Sequence, residues 1–440
     1  MQGKYSGVLI YLRPHMRPGE PILLICHSFP PNYGIGGRRW AKFAKELARR
    51  GHPVHVIHSA GTPRDHASLW TDDVLHANII AHPLPNRYPI VLTRWPVTAL
   101  KDKLLYAFWL KVLPLFTRGN WFDRGIFWRK PLLHTAGKLI REHGIHNVIA
   151  TGAPFSLLAY AAELKQQFPD IHLVSDLRDM WTGGRSYGYQ TIGEKRLRHE
   201  QQLEAMVAQV SDMLVSPHPV VLDYLGRAYG VPAEHMKILP HAIDPEDLGE
   251  PVKKADNGMF RMIYAGSLYD AREAQRYFEL LLQAFEHVRD TRPEQLASCR
   301  LDLYITDHGT RAFEDRVKER GLQDVIHFHD PLPPREVLQQ IAQADLVLAY
   351  HPQDKKDVMV TKFTEVAYLG RPILHIGDPG SASRTILEQR MGDSIRLEEL
   401  VTELPRIIQG ERKVSSDSQA DRQAPLLGHV TDILVKEVLV

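Results

Sequence analysis

The sequence predicts an α/β protein of two parallel-sheet domains, and three observations carry that expectation. At 440 residues the chain exceeds what one hydrophobic core organises. In both halves, short apolar runs fit for strands buried on both faces alternate with stretches of helical period, the pattern of parallel sheets covered by helices. Between the halves, from about 244 to 258, a polar, proline-containing segment reads as a linker.

Composition narrows the function classes. Hydrophobic residues at 44% and charged residues at 24% are those of a globular protein, and a formal charge of +2 gives no case for nucleic acid as a partner. Cys26 and Cys299, the two cysteines, sit in apolar strand-like runs and read as inert core thiols in a reducing compartment. No metal site can be built from them. The run Val8 to Leu12 is interrupted at once by Arg13, His15 and Arg17, and no run approaches the ~20 apolar residues that span a bilayer. A cytoplasmic protein is expected. Residues 1 to 20 carry no reading.

In chain order, Pro21 to Cys26 is a buried-strand pattern, followed by a loop ending in Gly34, Gly36 and Gly37. A helix then runs from Arg38 to about Arg50, with Trp40, Phe43, Ala44 and Leu47 on its inner face and Gly51 closing it. His52 to His58 is the second strand. A dinucleotide site would need a third glycine where Arg39 stands and an acid where His58 ends the strand, which disfavours nicotinamide or flavin. Gly36 and Gly37 either let the backbone approach a phosphate or make a tight strand-to-helix turn.

From Arg87 to Lys130, nine Lys or Arg stand against Asp102 and Asp123, interleaved with aromatics that include four of the chain's seven tryptophans. Such a mixture suits the headgroup layer of an anionic membrane leaflet. It equally suits packing inside the first domain. Strands Asn147 to Thr151 and Ile171 to Ser175 lead into turns at their carboxyl ends, where open α/β sheets bind ligands. In the second turn Asp179 can position or partly deprotonate a substrate hydroxyl, while Arg178 and Asp176 can form a structural ion pair. A helix from Ile192 to about Val210 and a strand Asp212 to Val215 complete the half.

The second half resumes with strands Phe260 to Ala265, Leu301 to Ile305, Val325 to Phe328, Asp345 to Tyr350 and Pro372 to Ile376. Gly266 follows the first of them, and Arg272 stands near the start of a long helix. Between the last two strands, Asp357, Lys362 and Glu365 sit on or just before one short helix whose inner face is Phe363, Val366 and Ala367 and whose end is Gly370. Lys362 and Glu365, three apart, are neighbours along one edge. They can serve a diphosphate and two ribose hydroxyls, or form an ordinary solvated helix pair. Leu426, Leu427, Val430, Leu434, Val435 and Val438 outline a final amphipathic helix.

Asp357-x7-Glu365 followed by Gly370-Arg-Pro-Ile resembles the E-x7-E segment and "K-x-x-E…G-K/R-P" ending of family 4 glycosyltransferases of the GT-B fold, with Asp357 in place of the first Glu. The segment from Phe29 to Ile57 is similar to the opening of that family, and the Gly266 turn to its "G-x-L" loop. His241 and Ala242 replace Asn and Gly of its "PNGID" stretch. "TGAPFS" and "DLRDMW" resemble a subset that builds bacterial surface polysaccharides and O-antigens. Where many members carry a histidine at the second turn, this chain has Asp176 and Asp179.

The resemblance covers roughly residues 22 to 405. It implies α/β GT-B architecture, two Rossmann-like parallel-sheet domains facing an interdomain cleft. By it, residues 1–245 are acceptor-side, 246–424 bind the nucleotide sugar, and 425–440 cross back to the first domain. The implied reaction is retaining transfer of a hexosyl or N-acetylhexosaminyl group from a nucleoside diphosphate donor to a glycan or lipid-linked acceptor, with no metal or other cofactor. Donor-binding residues would be Gly36, Gly37, Gly266, Arg272, Lys362 and Glu365, and catalytic ones Asp179, Asp357, Arg272 and Lys362. An anionic membrane surface would meet residues 87–130 at the inner face of the membrane. The same fold also hosts sugar-nucleotide epimerases and phosphorylases, the latter with pyridoxal phosphate on a lysine. A non-catalytic nucleotide- or glycan-binding partner is the reading from another class.

Overall fold

A computed structural model describes the chain except residues 1–15, 33–34, 62–67, 94–96, 185–186, 190, 250–257, 269–270, 307–309, 354–355, 357–360 and 418–424. The chain divides into two units, one reaching to Pro240 and including Leu427–Val440, the other His241–Leu426.

The first unit is built on seven strands: β1 (Ile22–Ile25), β2 (Val54–Ser59), β3 (Ile79–Leu84), β4 (Asn147–Gly152), β5 (His172–Leu177), β6 (Met213–Ser216) and β7 (Met236–Ile238). They form one parallel sheet in the order β3-β2-β1-β4-β5-β6-β7. Strand β1 lies between β2 and β4, so the chain winds outward in both directions from it. The loops after β1 and β4 therefore diverge and leave a crevice at their carboxyl ends. Ile22, Leu23, Leu24 and Ile25 are all buried, as expected of a strand covered by helices on both faces.

The second unit repeats the logic with β8 (Phe260–Gly266), β9 (Cys299–Ile305), β10 (Ile326–His329), β11 (Leu346–Tyr350), β12 (Ile373–Ile376) and β13 (Gly392–Ile395). Their order is β10-β9-β8-β11-β12-β13, again parallel, and the winding reverses between β8 and β11.

Three strands are absent from the sequence reading. β3 contains Pro83 and is half-exposed or exposed at every residue before Leu84, β7 has three residues, and β13 reads Gly-Asp-Ser-Ile. All three are edge strands, which need no apolar residues on both faces. The segment read as a linker holds a short helix, Pro245–Leu248, whose first turn is capped by the Asp244 carboxylate accepting from the Glu246 amide at 3.1 Å. The unit boundary falls ahead of it, at Pro240. The preceding Leu239 is tied to the first unit by its amide donating to the Ser216 carbonyl at 2.9 Å.

The final helix, Leu427–Ile433 continued by a wider turn Leu434–Val438, belongs to the first unit. Leu427, Val430, Leu434 and Val438 face inward. Arg50 holds it through Asp432 at 2.6 Å and the Gly428 carbonyl at 2.8 Å. Asn147 donates to the carbonyl of Val440 at 2.6 Å.

Candidate functional site

Each unit gathers candidate residues at the carboxyl ends of its central strands. In the first unit the two aspartates at the end of β5, Asp176 within the strand and Asp179 just past it, have different tasks. Asp176 is fully buried and accepts from Trp40 Nε1 at 2.7 Å, Thr151 Oγ1 at 2.9 Å and the Arg39 guanidinium at 3.3 and 3.4 Å. Arg39 also donates to the carbonyls of Leu239 and Pro240, at 2.8 and 2.9 Å. The ion pair expected between Arg178 and Asp176 is therefore replaced by one between Arg39 and Asp176. Arg178, just past the end of β5, bonds instead to Asp179 and the glycine turn.

Arg178 donates to Asp179 Oδ2 at 3.1 Å and to the Gly36 carbonyl at 2.9 Å. Tyr187 donates its phenolic proton to the same Asp179 oxygen at 2.8 Å, and burial and that carboxylate push its pKa up to about 12. Asp179 is only partly buried, so it remains reachable from solvent. His218, after β6, stands close enough to Asp179 for the carboxylate to oppose the lowering of its pKa by burial. Gly36 and Gly37 are held by protein contacts. A Cβ on Gly37 would meet the Ser28 carbonyl oxygen at 2.8 Å, and one on Gly36 would meet Arg178 Nη1 at 3.1 Å. The glycine turn, Arg178, Asp179 and Tyr187 thus form one continuous constellation.

In the second unit, β8 ends at Gly266, where φ is +154° and an added Cβ would lie 3.5 Å from Lys362 Nζ. Lys362 donates to the neighbouring Ala265 carbonyl. It stands in the second position of the helix Thr361–Tyr368, whose inner residues Phe363, Val366 and Ala367 are buried and which Gly370 closes at φ +65°. Glu365, one turn on, is itself buried, and its charge opposes the lowering of the Lys362 pKa by burial. Gly266, Lys362 and Glu365 are therefore brought together at one strand end. Arg272 lies in the first turn of the helix Ala271–Thr291 with its side chain exposed. Asp357 lies outside the described residues.

A lysine whose charge is disfavoured by burial, next to one carboxylate, is suited to receive the charge of a phosphate group. A glycine beside it allows such a ligand to approach the backbone.

Sequence reasoning missed Tyr187, His218 and the link from Arg178 to Gly36. Tyr187 adopts a left-handed backbone, φ +60°, in a glycine-rich loop, and that loop composition was the available signal. It also missed His351 and His375, buried after β11 and within β12, with ring centroids 5.3 Å apart. Among the described residues, His351 Nδ1 and His375 Nε2 have no hydrogen-bond partner in the protein. Burial pushes these imidazoles down to about 4 and about 3, so both are neutral.

Residues 36–247 match the model of Glycosyltransferase Family 4. No curated protein matches the chain. Among solved structures, Anabaena Alr3699/HepE in complex with UDP-glucose is similar at a TM-score of 0.57 and 14% identity, over 94% of this chain and 97% of that one. WaaG, a glycosyltransferase involved in lipopolysaccharide biosynthesis, is similar at a TM-score of 0.51 and 17% identity, over 94% and 95%. A glycosyltransferase from Rickettsia africae reaches a TM-score of 0.61 at 10% identity, over 94% and 97%. At these identities the structures speak for the fold. The match to Glycosyltransferase Family 4 spans most of the first unit, and the architecture throughout is that of GT-B glycosyltransferases.

Proposed function

We propose that this glycosyltransferase moves a hexosyl or N-acetylhexosaminyl group, with retention, from a nucleoside diphosphate sugar to a glycan or lipid-linked acceptor in bacterial surface polysaccharide synthesis. The observation that carries the donor class is the grouping of Gly266, Lys362 and Glu365 at the end of β8. Lys362 supplies the charge for the diphosphate, and Glu365 accepts from the ribose hydroxyls. Arg272, exposed at a helix start, adds a second cation for the leaving group. Stabilising the leaving group by fixed charges and amides, without a metal, is preorganised electrostatic catalysis. Asp357 is proposed to contact the donor sugar.

Asp179 serves the acceptor. It is held from one side by Arg178 and Tyr187 while staying accessible, which suits a carboxylate that orients a hydroxyl. Gly36 and Gly37 are proposed to line the donor's path, with Arg178 fixing the Gly36 carbonyl. HepE in complex with UDP-glucose and WaaG, involved in lipopolysaccharide biosynthesis, support the donor class and the pathway by fold alone. Its proposed location is the cytoplasm, peripheral at the inner face of an anionic membrane.

The test is a nucleotide-sugar panel. A donor at ~100 times its dissociation constant raises stability by about 2.7 kcal/mol, readable as a thermal shift. The stabilising donor should then be transferred with its anomeric configuration kept, read by NMR of the product. Inversion of the anomeric centre contradicts the mechanism. Interconversion of the donor sugar without transfer would instead identify an epimerase.

A further inference from the structure

We propose that the helix Leu100–Phe116 is an interfacial membrane helix, lying in the headgroup layer of an anionic bilayer with its outer face among the lipid chains. This deepens the acceptor reading above, on which it rests for its purpose, while its support is independent of that reading.

A surface helix of a globular protein turns its leucines toward the core. Here the outward face carries an apolar stripe. Leu100, Leu104, Phe108 and Leu115 follow one another at four, four and seven residues, which places them on one stripe. Their exposures are 75%, 66%, 54% and 80%, and Phe116 beside them is 70% exposed. Leu113 is the helix's buried residue, on the opposite side. The helix is docked at its carboxyl end, where Arg196 donates to the carbonyls of Pro114, Thr117 and Gly119, the first and last at 2.7 and 3.0 Å. That clamp fixes which face looks outward. An exposed apolar stripe of this kind, with Lys111 set within it between Phe108 and Leu115, marks a binding surface.

Charge identifies the occupant. Lys101, Lys103 and Lys111 are exposed on the same helix and Arg118 follows it. Of the two acids that stand against the basic residues of this region, Asp123 is withdrawn from the surface. It is buried, accepting from the Ser156 amide at 3.0 Å, Ser156 Oγ at 2.6 Å and the Gly125 amide at 2.8 Å. Asp102 is left as the helix's own acid. Leucine and phenylalanine flanked by lysine fit the boundary between acyl chains and anionic headgroups. Insertion across the membrane is ruled out for this helix by its length and lysines, and no helix among the described residues is long and apolar enough to cross. The aromatics elsewhere in the basic region have another task, since Tyr88 and Trp128 are buried in the first unit.

The experiment is flotation of the full chain with phosphatidylcholine vesicles, with and without phosphatidylglycerol, at low and high salt. Wild type should float with the anionic vesicles and less so at high salt. Leu104→Glu with Phe108→Glu should lower partitioning at least tenfold. Because both side chains are exposed, the double variant should melt as wild type does. A Leu104→Cys variant carrying an environment-sensitive dye should shift to the blue on anionic vesicles, with Cys26 and Cys299 shielded by burial. Absence of wild-type flotation, or equal flotation of the double variant, overturns the proposal. So does a change from oligomer to monomer in the double variant without any effect on flotation, which would make the face a self-association surface. Nucleoside diphosphate titration of wild type keeps the two readings apart: absence of nucleotide binding sinks the donor reading and leaves the flotation result standing.

Discussion

Asp176 and Asp179 are three residues apart, and their surroundings assign them opposite work. Asp176 meets Arg39, Trp40 and Thr151 with no exposure at all. Removing one member of a buried ion pair leaves the other charge unpaired, at a cost of about 3–5 kcal/mol. Asp176→Ala should therefore lower the melting temperature sharply, and an unchanged melt would contradict the structural role. Asp179→Asn keeps the shape and remains partnered to Arg178 and Tyr187. It should leave donor affinity unchanged while lowering turnover, measured by titration and by initial rates; loss of donor binding would contradict an acceptor role. Asp179 was legible in the sequence as a residue of a strand-end turn, whereas Asp176, read into the same turn, is the penultimate residue of β5. Their partners were not legible, since Arg39 reaches Asp176 across 137 positions and no local pattern encodes such a contact.

At the scale of elements, strands with four or more consecutive apolar residues, such as β1 and β11, are legible because burial on both faces writes itself into the sequence. The edge strands β3, β7 and β13 are hidden because one side of each is free of that demand. The final helix was legible from its spacing. Its attachment through Arg50 was not, as Asp432 lies 382 positions away. Arg50→Ala removes the pair with Asp432 and the bond to the Gly428 carbonyl. Hydrogen bonds to charged groups are worth roughly 1.5–3 kcal/mol each, less where partly exposed as here. The variant should show faster amide exchange in residues 427–438 with little change elsewhere. Uniform exchange across the first unit would mean that the helix is held by its apolar face alone.

Across the whole molecule, buried histidines set the response to acid. His27, His55 and His351 are held down to about 4 and His375 to about 3, each first of all by burial. The unfolded chain protonates these groups near 6.5 while the folded chain does not, so between about 6.5 and 4 the unfolded state binds more protons. Stability therefore falls as pH falls through that window. One such group, depressed by about two units or more, contributes on the order of 3 kcal/mol. Melting at pH 7 and pH 4.5 should show the drop, and His375→Asn should make it shallower. A drop of the same size in the variant would assign the acid sensitivity to other groups.

The central claim is that the second unit grips a nucleoside diphosphate with Lys362 and Glu365. The most direct measurement is isothermal titration of wild type, Glu365→Gln and Lys362→Met with a nucleoside and its diphosphate. Glu365→Gln retains shape but leaves one acceptor oxygen for two hydroxyls. It should weaken the diphosphate at least tenfold, since about 1.4 kcal/mol suffices for that factor. Lys362→Met should weaken the diphosphate far more than the nucleoside. Wild-type affinity in both folded variants would contradict the account and place the nucleotide elsewhere.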